Sequence, residues 1–375
     1  MLLLYLVACR DKYVLPETGP ALGYLVVEGN INNGNVPTLI KLSRTNTLTA
    51  GATVHETGAV VLVEGENNSQ SLLKESLPGE YSVDGLQLFP SVRYRLHITT
   101  KTGDEYLSDF VPVKQTPVID SITWLRPNGG VEFYVNAHDD AANTHYYQWD
   151  YSETWEFHSP FLAMLTYDLR NPNAPTIRYI DTINFSAVPN IAVCWSSRNS
   201  TRLILGSTTK LTEDRVYLPV NFISNSSKEI SVLYSINVRQ YALTKEAYEY
   251  LDKMRRNTES TGSIFDPQPS TLQGNIHSVK NKDEFVIGYA NVSSMQEKRK
   301  FVSSTELPDW RYQSGCSQDL VSNTADSVKF SYQRGLIPTT VAIADPAIRA
   351  FFGTMDNTCI DCRLTGTNKK PSFWP

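Results

Sequence analysis

The chain is expected to be mainly β: two tandem β-sandwich domains of immunoglobulin or fibronectin-III-like type, the second elaborated by one α-helix, a long loop and a C-terminal disulfide-pinned segment. Three observations point there. Short runs rich in Val, Ile, Thr and aromatic residues recur along most of the chain between Asn, Gly and Pro clusters, the rhythm of sandwich strands and turns. The 20 Tyr, 14 Phe and 6 Trp set against only 19% charged residues favour aromatic strands over charged helices. Only the stretch from Tyr241 to Ser294 holds a convincing helical pattern. With 375 residues there is chain enough for two or three separate cores.

Residues 1–9 read as the remnant of a lipoprotein signal and residues 10–21, with Pro16, Gly19 and Pro20, as a tether. The apolar start ends in Leu6-Val7-Ala8-Cys9, which resembles a bacterial lipobox, in which the thiol of the Cys receives diacylglycerol; no basic n-region precedes it, so the true start is expected upstream. Elsewhere no apolar run approaches the ~18–20 residues that span a bilayer.

Residues 22–115 form the expected first sandwich. Leu25-Val26-Val27-Glu28-Gly29, Thr38–Ser43, Val60–Val63, Gly79–Val83 and Tyr94–Thr100 are its strands, and Lys101-Thr102-Gly103-Asp104 a hairpin turn. Residues 116–300 form the second. Ile119–Trp124 opens it after the prolines at 112 and 117; Asn128-Gly129-Gly130 turns the chain into Val131–Val135. In His145–Tyr151, Tyr147, Trp149 and Tyr151 share one face and Gln148 and Asp150 the other. Strands are also expected at Ile191–Trp195, at Thr201–Leu205 and, with the cleanest alternation, at Glu229–Arg239, where Ile230, Val232, Tyr234, Ile236 and Val238 share a face.

That last strand runs into a helix over residues 244–257. Thr244 suits its N-cap, Leu243 a staple against Tyr248, and Ala247, Leu251 and Met254 one buried stripe. Residues 258–272 then make a loop that Gly262 and Asp266-Pro267-Gln268-Pro269 keep from being helical. Asn275–Val279 and Phe285–Tyr289, joined by Lys280–Glu284, suit a hairpin. Residues 301–375 are expected to pack on the second domain, with Phe373 and Trp374 as core anchors or an exposed docking tail.

Cys194, Cys316, Cys359 and Cys362 remain once Cys9 is set aside. An even number in an exported chain reads as disulfides, with Cys316 expected to pair with Cys359 or Cys362 because these three share the C-terminal segment. Cys359-Ile-Asp-Cys362 lacks the second close pair of a zinc site and the βαβ setting of a thioredoxin-like one.

Net charge is −5 and the longest basic run, Lys298-Arg299-Lys300, is three residues long. That argues against nucleic acid as a partner. His138-Asp139-Asp140 with His145 could offer oxygen ligands to calcium, but the Asn/Asp/Ala-rich segment reads better as a solvated turn, so no metal and no cofactor are expected. No G-x-S-x-G, H-E-x-x-H, P-loop or G-x-G-x-x-G occurs, and no catalytic residues are assigned. The aromatics Tyr146, Tyr147, Trp149, Tyr151, Trp155 and Phe157 could stack on sugars, although core packing of the alternating members is favoured. The loop is the preferred binding surface, with Ser263, Phe265, Asp266 and Gln268, and Trp155 beside them as binding candidates.

Lipobox-like Cys9, Leu25–Gly29, Tyr147–Tyr151 with Trp155 and Phe157, Asn237–Tyr248, Ser263–Pro269, and Cys359-x-x-Cys362 followed by Lys370–Pro375 together resemble, over essentially the whole chain, a family of Bacteroidota lipoproteins described as domain of unknown function DUF4249. The resemblance implies an envelope lipoprotein, often encoded beside a TonB-dependent outer-membrane receptor, with no established catalytic residues. The expected function is a lipid-anchored, non-enzymatic accessory or ligand-capture partner of such a receptor. The alternative is a surface glycan- or peptide-binding or hydrolysing protein. Arg10-Asp11-Lys12 places one acidic residue after the lipidated Cys, which leaves both the cell surface and the periplasmic face open.

Overall fold

The computed structural model describes residues 23–46, 53–180, 190–259, 273–343 and 348–375. The chain forms two compact units, Met1–Lys114 with Thr244–Ser294, and Gln115–Leu243 with Met295–Pro375. It is mainly β throughout.

In the first unit, Leu25–Asn33 pairs antiparallel with Thr38–Arg44, with Val27 opposite Leu42, and Thr38–Arg44 pairs with Glu80–Val83. Gln70–Leu77 joins these to Val60–Gly65, which pairs with Arg93–Thr99, then Glu105–Ser108. Period-2 patterning shows in Arg93–Thr99: Tyr94, Leu96 and Ile98 enter the core while Arg95 and His97 face outward. Leu25, Val27, Ile40, Leu42, Val61, Val63, Tyr81 and Tyr106 complete that core.

The helix spans Lys245–Glu259, and the Thr244 hydroxyl accepts the Ala247 N–H at 3.2 Å, the N-cap bond expected of it. Its buried apolar stripe differs from the expected one. Ala247 and Tyr250 are buried, whereas Leu251 and Met254 are half-exposed. Tyr250 is drawn inward because its hydroxyl accepts the Gly288 N–H at 2.8 Å and its ring lies 5.5 Å from that of Tyr289. Gly288 is required where it stands: at φ 147° its backbone passes so close to Val27 that a Cβ would come within 2.3 Å of the Val27 carbonyl oxygen.

The helix and the chain after it as far as Ser294 belong to the first unit, not to the second sandwich as the sequence reading has it. The reason is strand pairing. Val286–Gly288 runs parallel to Leu25–Val27, and Val292–Ser294 parallel to Ile31–Asn33. The expected hairpin is absent for the same reason, since Ile276–Ser278 pairs with Glu105–Ser108 instead.

The second unit faces a five-stranded antiparallel sheet, Val193–Asn199 and Ile204–Ser207 along one edge of Tyr146–His158, then Leu233–Ala242 and the Met295–Ser303 part of the last strand, with a three-stranded sheet of Ile119–Leu125, Gly130–His138 and Arg215–Ser224. Between them Val131, Phe133, Val135, Tyr147, Trp149, Trp155, Tyr234, Ile236 and Val238 pack. The alternation expected from Glu229 begins later than expected: Lys228–Ile230 is a 3₁₀ turn and the strand starts at Leu233.

Two disulfides hold the C-terminal segment, Cys316–Cys359 as one of the expected pairings and Cys194–Cys362, with Cα separations of 5.9 and 5.7 Å. The segment carries its own small sheet of Asp319–Ser322, Ile337–Val341 and Ala350–Thr354, and a second helix, Ala325–Gln333, capped by Thr324, which the sequence reading does not anticipate. Trp374 is an anchor: its indole N–H donates to Glu156 Oε2 at 3.1 Å and its ring meets Trp195 and Phe301 edge-on. Phe373 lies under the Arg299 guanidinium at 3.7 Å and remains 42% exposed.

Candidate binding cleft

In the first unit, Glu105–Ser108 and the strand beside it, Ile276–Ser278, open at one end into a cleft of about 590 Å³. Its walls follow from strand alternation. Leu107 and Val279 supply apolar surface, and Arg95 points outward between the buried Tyr94 and Leu96. The Arg95 guanidinium sits 4.7 Å from the Phe110 ring centroid, a cation–π contact that gives the cleft a flat, positively charged floor. His277, 3.7 Å from Asp109, and Lys282 complete the rim.

Arg95 is held in place from behind. Its Nε donates to Glu64 Oε2 at 2.9 Å and its Nη2 lies 2.8 Å from the same oxygen, a charge-assisted clamp. The other Glu64 oxygen takes Gln70 Nε2 at 3.0 Å and lies 2.9 Å from His97 Nδ1. His97 Nε2 is 2.8 Å from Glu105 Oε1 but off the line of an aligned hydrogen bond. Burial alone would raise the Glu64 carboxyl; the bonds from His97 and Arg95 outweigh it and hold it below the usual carboxylate value.

A depressed folded-state pKa means that the carboxylate stabilises the fold above its unfolded value of about 4.3, and that this contribution is lost as pH falls through the folded value. Stability measured by urea denaturation is therefore expected to fall steeply below about pH 4.3 in the native chain, and Glu64→Gln to flatten that acid limb. An unchanged slope in the variant would remove Glu64 from this role.

Three basic residues against one acidic residue line the cleft, with apolar wall and aromatic floor between them. That arrangement can hold a small ligand that carries both an acidic group and an apolar body.

The residues singled out from sequence are not gathered here. Ser263, Phe265, Asp266 and Gln268, most of their loop, and Cys9 lie outside the described residues. Trp155 is described and is not a surface contact: it is 6% exposed in the core of the second unit, under the Arg198 guanidinium at 5.3 Å. Tyr147, Trp149, Tyr151 and Phe157 are buried with it, so the core reading of those aromatics holds rather than a sugar platform. Asp139 folds the 138–144 segment into the expected turn by accepting the N–H groups of Ala141, Asn143 and Thr144 at 3.0–3.1 Å. The cleft residues left no sequence motif, because Arg95 and His277 meet through strand pairing across 182 positions of chain; only the outward slots of Tyr94–Thr100 hinted at them.

A family model described as Domain of unknown function (DUF4249) matches residues 11–299. Comparison with curated proteins finds no match. Among solved structures, the Yersinia pseudotuberculosis adhesin InvE aligns at 10% identity over 60% of this chain with a TM-score of 0.18, and this chain spans 58% of that one. The B domain of a biofilm-associated protein aligns at 9% identity over 76% of this chain and 87% of that one, TM-score 0.15. At such scores the structural alignments carry no argument about function.

Proposed function

We propose, for a chain that belongs to the family described as domain of unknown function DUF4249, that it is a bacterial envelope lipoprotein, anchored at the outer membrane through lipid on Cys9. It acts without catalysis, as an accessory or ligand-capture partner of a TonB-dependent receptor. The observation that carries the reading is the pair of disulfides, Cys194–Cys362 and Cys316–Cys359, which engage every cysteine other than Cys9. Such bonds form and persist in exported proteins, whereas cytosolic thiols are kept reduced. With the other four committed, Cys9 is the cysteine left for acylation. The Arg95 cleft supports the capture side of the proposal, since it is concave, mixed apolar and basic, and built on strands and the connections that leave them.

Fractionation of the native host carrying the full-length gene tests the anchor. The chain is expected in the outer-membrane pellet, and Cys9→Ala is expected to move it to the soluble fraction. A native chain in the cytosol, or a variant that still sediments, would contradict the reading.

A further inference from the structure

We infer that the outer face of the three-stranded sheet in the second unit, built from Leu125, Tyr134, Tyr217 and Phe222 with Thr123 and Asn136 between them, binds neutral oligosaccharides. This goes beyond the anchoring and the cleft, and rests on neither.

The strand registers place these side chains together. Leu125, Glu132 and Phe222 stand opposite one another across three strands; Thr123 stands opposite Tyr134, and Asn136 opposite Tyr217. All point away from the core, whose side of the same strands carries Val131, Phe133, Val135 and Val216. A solvated sheet face is ordinarily polar. Here Leu125 is 51% exposed, Tyr217 56% and Phe222 48%, with Glu132 between Leu125 and Phe222, an exposed apolar and aromatic surface of the kind that marks a contact site.

The rings are held rather than loose. Tyr134 and Tyr217 stack at 4.6 Å between centroids and 8° between planes, and the Tyr134 hydroxyl donates to Glu132 Oε2 at 2.5 Å. Gly130 makes room for Phe222: a Cβ there would come within 2.6 Å of the Phe222 ring.

Charge and hydrogen bonding decide the class of occupant. Opposite charges meet at the end of the strip, and one carboxylate, Glu132, lies within it, hydrogen-bonded but not ion-paired. Glu132 takes the Tyr134 hydroxyl, Asp120 lies 2.7 Å from His138 Nδ1, and Arg215 lies 3.4 Å from Glu213. The Tyr134 hydroxyl is neutral, so Glu132 leaves one carboxylate within the strip, and with the whole chain at −5 it disfavours anionic ligands. What remains is ring and aliphatic surface interleaved with an amide and a hydroxyl, Asn136 Nδ2 donating to Thr123 Oγ1 at 3.0 Å. A pyranose complements this surface: its axial C–H groups lie flat on an aromatic face and its hydroxyls meet neighbouring amides and hydroxyls. Strands about 4.8 Å apart repeat such contacts at close to the length of one sugar unit.

The test is calorimetric titration of the full chain with soluble neutral hexasaccharides of β-1,4-glucan, α-1,4-glucan, β-1,3-glucan, xylan and mannan. At least one is expected to bind with a submillimolar Kd, and the Tyr217→Ala/Phe222→Ala double variant to weaken it by about tenfold or more with the melting temperature retained. Tyr217→Phe is expected to bind as the native chain does, because the ring face and not the hydroxyl makes the contact. Should the double variant not fold, Tyr217→Ala alone carries the same comparison. Absence of binding to every hexasaccharide, unchanged affinity in the variants, or a native dimer by light scattering that Tyr217→Ala dissociates would overturn the inference, the last by assigning the face to a second copy of the chain.

Discussion

The Cys194→Ala/Cys362→Ala double variant is expected to lose about 3–5 kcal/mol of stability in its second unit, read as a fall in the urea midpoint with a steeper slope, because the unfolded chain is less compact without the cross-link. The bond closes 168 residues of chain. On the chain-entropy account a loop of that length restrains the unfolded state by about 5 kcal/mol, against about 4 for the 43-residue separation of Cys316–Cys359. Both sulfurs of the longer bridge are buried, so removal also costs packing. The bridge ties the Val193–Asn199 edge strand to the C-terminal segment, where Thr367 continues the sheet by exchanging two hydrogen bonds with Trp195 at 2.8 Å. Loss of the bond should therefore also release the tail that buries Trp374, visible as a red shift in tryptophan emission. Native chain treated with reductant should follow the double variant. A variant as stable as the oxidised chain would mean that the bridge does not constrain the protein.

Glu153→Ala is expected to be nearly as damaging, at about 3 kcal/mol, because it removes a buried acceptor and leaves Asn221 and Tyr234 unsatisfied beside the half-exposed Arg198. Glu153 occupies an inward slot of the Tyr146–His158 strand and is 1% exposed. Its carboxylate accepts Arg198 Nε at 2.7 Å, Asn221 Nδ2 at 2.7 Å and the Tyr234 hydroxyl at 3.1 Å. Arg198 also reaches Glu229 at 3.1 Å, and Tyr151 donates to Asn221 Oδ1 at 2.9 Å. Burial first, and the Glu153 charge after it, push the Tyr234 hydroxyl well above the ordinary tyrosine value, so it stays a donor across the working pH range. Truncating the acid leaves these donors facing a void that water reaches poorly. A cycle with Arg198→Ala separates the pair from its surroundings: the double variant should cost less than the sum of the two single ones, and strict additivity would show that the groups do not act together.

These two sites also show what could be read from sequence. Alternation placed Tyr147, Trp149 and Tyr151 on one face, and the structure buries all three. The same alternation continues to Glu153, which a period-2 argument assigns to the core only if a buried acid is accepted, and its partners Arg198, Asn221 and Tyr234 come from three other strands. The Thr244 cap was legible because capping is local. The return of Val286–Gly288 to Leu25–Val27 was not, since parallel pairing across some 260 residues leaves no trace in either segment. Arg215–Ser224 went unrecognised as a strand because Pro219 interrupts it. The structure resolves the conflict with a register shift at that point on an edge strand, where a missing N–H is tolerated. The exposed Tyr217 and Phe222 lie on that strand, so the oligosaccharide face was hidden with it. The helix Ala325–Gln333 escaped for a different reason: it is nine residues long and buries only Val328 and Ser331.

Whether the chain works at the outer membrane beside a receptor is tested most directly by affinity purification. The tagged full-length chain, with Cys9 intact, is recovered from outer membranes of the native host dissolved in mild detergent, and the proteins retained with it are identified. A TonB-dependent receptor is expected in near-stoichiometric amount, and is expected to be lost when Cys9→Ala is purified in the same way. Recovery of the native chain alone from the same membranes would contradict the proposed partnership.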